Sequence, residues 1–219
     1  MLKIILEEYN CLFIGAHYDD IEIGCGGLLT TVNDLSKISK TSALIVSNSN
    51  KDIELKRKSI TKQNLQNLNV KLILFNYEIE PLTFYDKKLE IKKIIEKTLD
   101  IINPDFIFFH SKDSHQDHII INEIIHEIAR PLSTNMLKGL IEFHIPCSEN
   151  KTEFNYNYMY DQKYQNMKIN MLKKYIEIEV LKEKGDRRTL EYINLKNKEI
   201  ALFSGDPDFG EQYKLRIFR

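Results

Sequence analysis

Residues 11–27 read CLFIGAHYDDIEIGCGG, an apolar run followed directly by polar residues and glycines. A short, continuously apolar run is typical of a strand that is buried on both faces of a parallel sheet. The polar residues after it would lie at the carboxyl end of that strand, where the functional residues of open α/β sheets collect. We therefore predict a buried strand over 11–16 that leads directly into a candidate site.

The alternation of apolar runs and helical periodicity continues beyond this stretch. Each apolar run predicts a strand, and each stretch with a spacing near 3.6 residues predicts a helix. This succession indicates an α/β fold with a doubly wound, mostly parallel sheet and helices on both faces. The predicted strands cover 11–16, 42–47, 70–75, 106–109 and 140–145, and the predicted helices cover 28–35, 53–68, 89–102 and 119–129.

The length of 219 residues suits a single domain over 1–219. We expect a core over 1–146 and a C-terminal extension over 147–219. Between residue 165 and about residue 184 of the extension, apolar residues recur with helical spacing, which predicts an amphipathic helix that ends near Gly185.

A group of tyrosines opens the extension. The surrounding sequence is polar and aromatic without a clear period, so it predicts a long surface loop or a strand pair beside the sheet. The tyrosine rings could stack on a sugar, or they could form an oligomer contact. The group consists of Tyr156, Tyr158, Tyr160 and Tyr164.

The composition excludes several classes of partner. The chain has 31 Lys and Arg against 32 Asp and Glu, so it lacks the positive excess that nucleic-acid binding requires. No apolar run approaches the roughly 18 residues of a membrane span, and the first ten residues are acidic where a signal peptide is basic. Three widely separated cysteines encode neither a disulfide framework nor a thiolate zinc site. These features predict a soluble, cytoplasmic protein with a small-molecule partner, and they leave a homo-oligomer open.

The first candidate site consists of His17, Asp19 and Asp20. A His and an Asp three residues apart can bind one metal, while the Asp between them points at the metal-bound water. The glycines of this stretch would let the chain turn sharply and let a helix begin close under the site. The alternative is that the carboxylates only cap the helix and stabilise its positive end.

The second candidate site is the sequence HQDH at 115–118, which closely follows the strand predicted over 106–109. Ser114 and Asp117 resemble a capping box, which would put the histidines in the first turn of the helix over 119–129. His115 and His118 would then face the same side of that helix. The alternative is again a role in capping alone.

Together the two motifs have the composition of a catalytic zinc site. His17, Asp20 and His118 provide two imidazoles and one carboxylate and leave one position for water, whereas structural zinc sites close with four protein ligands. Asp19 would accept the proton of the zinc-bound water. We therefore predict one Zn²⁺ per chain, with Fe²⁺ as the alternative.

His115 supplies the remaining part of a hydrolytic site. A neighbour such as Asp117 could hold its imidazole protonated. The ring could then stabilise an oxyanion and give a proton to a leaving amine. The complete set predicts a hydrolase.

The two motifs resemble those of the LmbE/PIG-L family of metal-dependent N-deacetylases. Residues 16–27 resemble the family signature A-H-P-D-D-x-x-x-G-x-G-G, and HQDH follows about a hundred residues later. The resemblance implies a Rossmann-like sheet and removal of an N-acyl group, typically N-acetyl on an amino sugar or its conjugate, as in glycan biosynthesis. It implies the zinc ligands His17, Asp20 and His118, the general base Asp19, and the assisting pair His115 and Asp117.

The same resemblance implies substrate contacts outside the two motifs. Arg57 matches an arginine that opens the family's second helix and often meets substrate, although the Glu expected three residues later is Ile60. Arg130 matches a basic position after the histidine motif, and Glu211 matches a late carboxylate. Tyr18 stands where the family usually has Pro, so the fixed φ of Pro is lost there, and we expect the tyrosine ring to line the substrate cleft.

Two other functions remain open from the sequence. A metal-dependent phosphoesterase is one alternative, because Asp and His clusters also hold two-metal centres. A non-catalytic sugar-binding protein on the same fold is the other, since fold does not fix function. Counting metal ions per chain separates the deacetylase, with one, from the phosphoesterase, with two.

Overall fold

The computed structural model describes residues 1–35, 38, 40–75, 77–132, 137–149, 151–182, 184–185, 188–205 and 208–218, without the side chains of 130–132. No helix in this part of the chain is long and apolar enough to cross a membrane. The strands are β1 (Cys11–Gly15), β2 (Thr41–Ile45), β3 (Lys71–Ile73), β4 (Phe106–His110), β5 (Gly139–Phe143), β6 (Tyr156–Tyr160) and β7 (Phe209–Ile217). The helices are α1 (Leu2–Glu8), α2 (Asp20–Leu35), α3 (Asp52–Asn67), α4 (Lys88–Ile102), α5 (Gln116–Leu132), α6 (Gln162–Lys173) and α7 (Leu190–Phe203).

The described strands form one seven-stranded sheet in the order β3-β2-β1-β4-β5-β7-β6. The first five strands pair in parallel, and β7 is antiparallel to both β5 and β6. The chain therefore winds in one direction from β1 to β3 and in the other from β4 onward. The strand order reverses between β1 and β4, which is where α/β sheets open a crevice for ligands.

Helices cover both faces of the sheet, as the sequence predicts. Successive side chains of a strand point to opposite faces, so Phe13 packs in a core with α1, α2 and α6. Ile14, the next residue, packs in a second core with α4 and α5. The α/β, doubly wound and mostly parallel fold is thereby confirmed.

The C-terminal extension differs from the predicted single helix. The helix expected to run to Gly185 ends at Lys173, because the chain turns there and buries Tyr175. The Tyr175 hydroxyl lies 2.7 Å from Glu22 Oε1 and 2.7 Å from Thr61 Oγ1, which ties the turn to α2 and α3. The sequence patterns also did not predict α1, α7 or β7.

Three of the four tyrosines lie on a strand at the edge of the sheet, close to the strand pair that was one of the two predicted conformations, and Tyr164 lies in α6. Strand β6 begins at Tyr156 and ends at Tyr160, and it pairs with β7. Tyr158 is half-buried, and the Tyr160 ring packs against α2. These rings contribute to the core of the extension.

The glycines after β1 have a different role from the one predicted. The helix begins at Asp20 rather than at residue 28, so Gly24, Gly26 and Gly27 lie inside α2 and none of them has a positive φ. A Cβ at Gly24 would lie 2.6 Å from the Phe143 ring, and one at Gly27 would lie 2.2 Å from the Tyr160 ring. These glycines let α2 approach the sheet closely.

Replacing Gly27 with Ala should destabilise the fold by about 1–3 kcal/mol, the usual cost of overpacking a core. The Tyr160 ring cannot move away freely, because it is buried and its hydroxyl donates to Gln165 at 2.9 Å. Chemical denaturation measures the loss. The exposed control Lys62→Ala in α3 should change the free energy of unfolding by less than about 0.5 kcal/mol.

Candidate metal centre

The two motifs meet because the strands that precede them are neighbours. Ile14 of β1 pairs with Phe109 of β4. Parallel strands end at the same edge of the sheet, so the residues after β1 and those after β4 lie side by side. This register brings His17 and His118 together, with ring centroids 5.6 Å apart.

Asp20 lies at the centre of the cluster. Its Oδ2 is 3.4 Å from His17 Nδ1 and 3.6 Å from His118 Nε2. It also accepts a hydrogen bond from the His17 backbone amide at 2.7 Å. The three predicted ligands are thus gathered around one carboxylate oxygen, and all of them are buried.

A second layer of carboxylates orients the two histidines. Asp117 Oδ2 lies 2.9 Å from His17 Nε2, and Asp113 Oδ2 lies 2.7 Å from His118 Nδ1. Because a carboxylate only accepts, each of these ring nitrogens carries the proton. The opposite nitrogens, His17 Nδ1 and His118 Nε2, both face Asp20.

This donor set fits a divalent metal. His118 Nε2 is buried and has no hydrogen-bond partner among the described residues, so a metal could replace the proton on this nitrogen. Metal-bound histidines almost always donate their other N–H to a carboxylate or carbonyl, as His17 and His118 do here. Two imidazoles and one carboxylate with further positions left open match a catalytic zinc site.

The charges at the centre reinforce one another. Burial opposes ionisation of Asp20, but the neighbouring imidazoles hold the pKa of its carboxyl well below the usual range. Burial lowers the pKa of His118, but Asp20 and Asp113 outweigh it and raise that pKa to about 10. The cluster is therefore built to hold positive charge beside Asp20.

Two more histidines border the cluster. His115 is half-buried, and its ring centroid lies 4.8 Å from that of His17 and 4.5 Å from that of His118. His110 is fully buried, stacks on His118 at 3.9 Å and accepts from the Ala16 amide at 2.9 Å. Among the described residues, the predicted set of His17, Asp20 and His118 is not one of the groups whose ligand atoms all lie within 4.8 Å of one another, but it shares two members with each of the two groups that are. They are His17, His115 and His118, and Asp20, His110 and His118.

The Asp117 carboxylate contacts His17 and not His115, so it does not make the orienting contact with His115 that the sequence predicts. Its Oδ2 also accepts from the Leu82 amide at 2.7 Å. Burial and the nearby His118 lower the pKa of His115 to about 4, so the ring is neutral rather than held protonated. The Asp117 amide lies 3.3 Å from His115 Nδ1 as a donor, which leaves the ring proton on Nε2.

The capping box predicted from Ser114 is not formed. The Ser114 hydroxyl accepts from the Glu149 amide at 3.2 Å, whereas the His115 carbonyl accepts the first helical bond of α5 from Ile119. Asp113 Oδ1 accepts from the His115 amide at 2.7 Å. Asp113 thus holds the backbone of His115, the first residue of the HQDH motif, and orients the ring of His118.

Asp19 is held in an unusual conformation by Arg57. Its φ of 121° is in a region that L-residues rarely adopt. Arg57 donates to Asp19 Oδ1 at 3.0 Å and twice to the Tyr18 carbonyl, at 3.0 and 2.7 Å, and Glu54 accepts from the same guanidinium at 2.9 Å. Burial raises the pKa of Asp19, while the charges of Arg57 and, more weakly, Arg188 act to lower it. One carboxylate oxygen is thereby fixed, and the other, Oδ2, is buried without a partner among the described residues.

A cavity of about 210 Å³ opens over the cluster. Its inner wall includes Asp19, Asp20 and His115, and Leu181 and Arg188 of the C-terminal extension line it as well. Asp19 is therefore both buried and in contact with a space that can admit a small group.

The structure does not support the predicted substrate roles of Arg57 and Tyr18. Arg57 is buried and its donors are directed at Asp19, Glu54 and the Tyr18 carbonyl. Its acidic partner lies three residues before it rather than three after. Tyr18 is 1 % exposed, and neither residue lines the cavity. The side chain of Arg130 lies outside the described part of the chain.

Glu211 is buried among structural contacts and does not line the cavity over the cluster, so the structure does not support its predicted substrate role. Its carboxylate accepts from the amides of Gly27 and Leu28 at 2.7 and 3.0 Å, from Lys168 Nζ at 2.7 Å and from the Tyr213 hydroxyl at 2.9 Å. Both Lys168 and Glu211 are buried, so they form a fully desolvated ion pair.

Replacing Glu211 with Gln should cost roughly 3–5 kcal/mol of stability, because it leaves the Lys168 charge buried and unpaired. The measurement is the free energy of unfolding, together with kcat/KM of the remaining folded protein, which should be unchanged. The double variant Glu211→Gln, Lys168→Met should recover part of the loss. A large loss of kcat/KM with normal stability would instead support a substrate role.

Sequence reasoning missed two residues of this region and gave too little weight to a third. His110 ends β4, and its place on an apolar run favours a partly buried, hydrogen-bonded role over an approach to the metal. Asp113 stands two residues before His115, where its position beside the motif is a usable signal. Arg188 carries no such signal, because only the folded extension brings it to the cavity.

The solved structures that resemble this chain include deacetylases and a hydratase. No curated protein matches the sequence. The crystal structure of Dbv21, the A40926 pseudoaglycone deacetylase, has a TM-score of 0.73 at 14 % identity and covers 96 % of this chain and 98 % of its own. N,N'-diacetylchitobiose deacetylase from Pyrococcus horikoshii has a TM-score of 0.69 at 15 % identity, and the match covers 99 % of this chain and 87 % of that one. GalB, the 4-carboxy-2-hydroxymuconate hydratase of Pseudomonas putida, has a TM-score of 0.64 at 11 % identity, and the match covers 95 % of this chain and 96 % of that one.

At these identities the structural likeness shows the fold alone, and the family follows from the sequence. The model of the PIG-L family, described as GlcNAc-PI de-N-acetylase, matches residues 12–129. This match spans more than half of the chain and includes both histidine motifs. The protein therefore belongs to the PIG-L family of LmbE-like de-N-acetylases.

Proposed function

We propose that the protein is a metal-dependent hydrolase that removes an N-acetyl group from an amino sugar or an amino-sugar conjugate. Zn²⁺ is the proposed metal, one per chain, and Fe²⁺ is the alternative. Membership in the de-N-acetylase family and the architecture shared with sugar-conjugate deacetylases support the reaction. The donor set around Asp20 supports the metal.

His17, Asp20 and His118 would hold the metal through His17 Nδ1, a carboxylate oxygen and His118 Nε2. A bound divalent ion supplies Lewis acidity, which lowers the pKa of water and polarises a carbonyl. Asp117 and Asp113 keep the two imidazoles in the required tautomers and orientations.

The observation that carries the proposal is the asymmetric environment of Asp19. Arg57 occupies Oδ1, while Oδ2 has no described partner and the residue lines the cavity beside the proposed ligands. Asp19 can therefore accept a proton from the attacking water at Oδ2. The same oxygen can then give that proton to the departing amine, so Asp19 both accepts the proton and returns it.

His115 would stabilise the charge that develops on the amide oxygen. The ring is neutral with its proton on Nε2, and it lines the same cavity as Asp19. A hydrogen bond from this group to the developing oxyanion is worth several kcal/mol when the donor is held in advance. His115 thus acts as a donor to the oxygen rather than as a charged acid.

The alternatives predict different products. A phosphoesterase would release phosphate and need two metals, and a sugar-binding protein would release nothing. The likeness to a hydratase shows that this fold also supports a lyase, but no described side chain favours that reaction over amide hydrolysis.

The deciding experiment incubates the Zn²⁺-loaded protein with N-acetylglucosamine, its β-methyl glycoside, N,N'-diacetylchitobiose and nucleotide-linked N-acetylamino sugars while acetate is quantified. We expect release of acetate and of a free amine in equal amounts from at least one compound. Parallel incubations with phosphate monoesters test the phosphoesterase. Phosphate release without any acetate release would refute the proposal.

A further inference from the structure

Two cavities meet at Arg188. The first is the cavity of about 210 Å³ over the metal centre, and the second, of about 640 Å³, lies next to it in the C-terminal extension. Arg188 lines both, and Lys182 and Lys184 line the outer one together with a single described acid, Glu179. A molecule whose acyl group reaches Asp19 would therefore extend past these cations.

The backbone around Arg188 is fixed. The Lys182 amide donates to the Arg188 carbonyl at 3.1 Å, and the Leu190 amide donates to the Lys182 carbonyl at 3.0 Å. Thr189 caps α7 by accepting from the Tyr192 amide at 3.1 Å. Arg188 thus directly precedes the positive end of a 14-residue helix, which favours anions.

The Arg188 side chain is exposed, and no hydrogen bond or ion pair engages its guanidinium within the described part of the chain. Arg188 nevertheless lines the inner cavity together with Asp19. Arg57, which contacts Asp19, is buried and already donates to Asp19 and Glu54. Arg188 is therefore the described arginine that remains available to a ligand in this cavity.

We propose that Arg188 selects N-acetylamino sugars that carry an anionic substituent, a phosphate or a carboxylate, on the side away from the acetamido group. This inference rests on the proposed deacetylase function and names its substrate class. A guanidinium matches either anion through two parallel hydrogen bonds. Within the described part of this cavity the three cations face one acid, Glu179, so an anionic substituent would complement their charge better than a neutral one.

The test compares three substrates that share one sugar: the β-methyl glycoside of N-acetylglucosamine, N-acetylglucosamine 1-phosphate, and the carboxymethyl glycoside of N-acetylglucosamine. In the wild type, kcat/KM should be at least about tenfold higher for an anionic substrate than for the neutral one. Arg188→Met should remove this preference, mainly through KM, so that the three substrates have similar kcat/KM. Arg188→Lys should retain part of the preference, because Lys keeps the positive charge but cannot make the two parallel hydrogen bonds of a guanidinium. Comparing kcat/KM for the phosphate substrate with that for the carboxymethyl substrate identifies which anion is preferred.

Binding of product gives a readout that does not depend on turnover. Calorimetry should show glucosamine 1-phosphate binding at least about tenfold more tightly than methyl glucosaminide at low salt, with the difference lost in Arg188→Met. Lys198→Met is the matched control, since Lys198 is exposed on α7 and lines neither cavity. It should behave as the wild type.

The results separate the two proposals. Acetate release from all three substrates with equal kcat/KM, unchanged in Arg188→Met, would overturn the assignment of Arg188 and leave the deacetylase intact. No acetate release from these or any other N-acetyl sugar would overturn the deacetylase, and the assignment would fall with it.

Discussion

Replacing Asp19 with Asn should reduce kcat for acetate release by about 10²- to 10⁴-fold, the usual contribution of general acid–base catalysis, and leave the metal bound. Asn removes the ability to accept a proton at Oδ2 but keeps the size of the side chain. It also suits the backbone, because Asn is among the residues that tolerate a positive φ, such as the 121° of Asp19. Alanine would confuse lost chemistry with backbone strain.

The metal content of this variant separates a base from a ligand. We expect the wild-type amount of metal per chain and an unchanged melting temperature. Asp34→Asn is the control, because Asp34 is an exposed aspartate that pairs with Lys163 and does not line the cavity. A metal-loaded Asp19→Asn protein with more than half of the wild-type kcat would exclude Asp19 as the base.

Replacing His118 with Ala should abolish both metal binding and acetate release. Of the two ring nitrogens of His118, Nε2 has no hydrogen-bond partner among the described residues and faces Asp20. The substitution therefore removes one of the three proposed ligands. Asp113→Asn should have a graded effect, with metal affinity reduced about 10- to 100-fold, because it removes only the carboxylate that orients the ring. Competition with a chromophoric chelator measures the affinity of each variant.

His126→Ala is the matched control for this series. His126 lies on the same helix, α5, but it is half-buried against Glu142, 3.2 Å away, and does not line the cavity. It should bind metal as the wild type does. Full metal affinity in a folded His118→Ala protein would show that the ligand set is wrong, and would direct attention to His110 or His115.

The convergence of the two motifs could be predicted because it depends on strand order. β1 and β4 are short, fully buried runs, and the doubly wound order 3-2-1-4-5 makes them neighbours. Once they are parallel, the residues at their carboxyl ends must meet. His17 and His118 are about a hundred residues apart in sequence, but two rules of topology bring them together.

The roles that could not be predicted depend on contacts from distant parts of the chain. Gly27 appeared to allow a turn, but it is required by the ring of Tyr160, which a Cβ at this position would meet at 2.2 Å. Glu211 and Arg57 appeared free to meet substrate. Each is buried, because Lys168 and Asp19 provide partners that no local pattern reveals.

The extension was the least predictable part for a related reason. Its strand β7 is buried at Phe209 but exposed near Ile217, so it has no uniform apolar pattern. Its α6 stops at Lys173 although the helical periodicity continues, because Tyr175 is drawn against α2. Arg188 reaches the cavity only as a result of this folding.

The most direct test of the account is a metal titration of the chelator-treated protein. Zn²⁺ is added in fractions of an equivalent while acetate release from the best substrate is followed. We expect no activity without metal, a linear rise and a plateau at one equivalent per chain. Full activity in the metal-free protein, or a plateau only at two equivalents, would contradict a single-metal deacetylase centred on His17, Asp20 and His118.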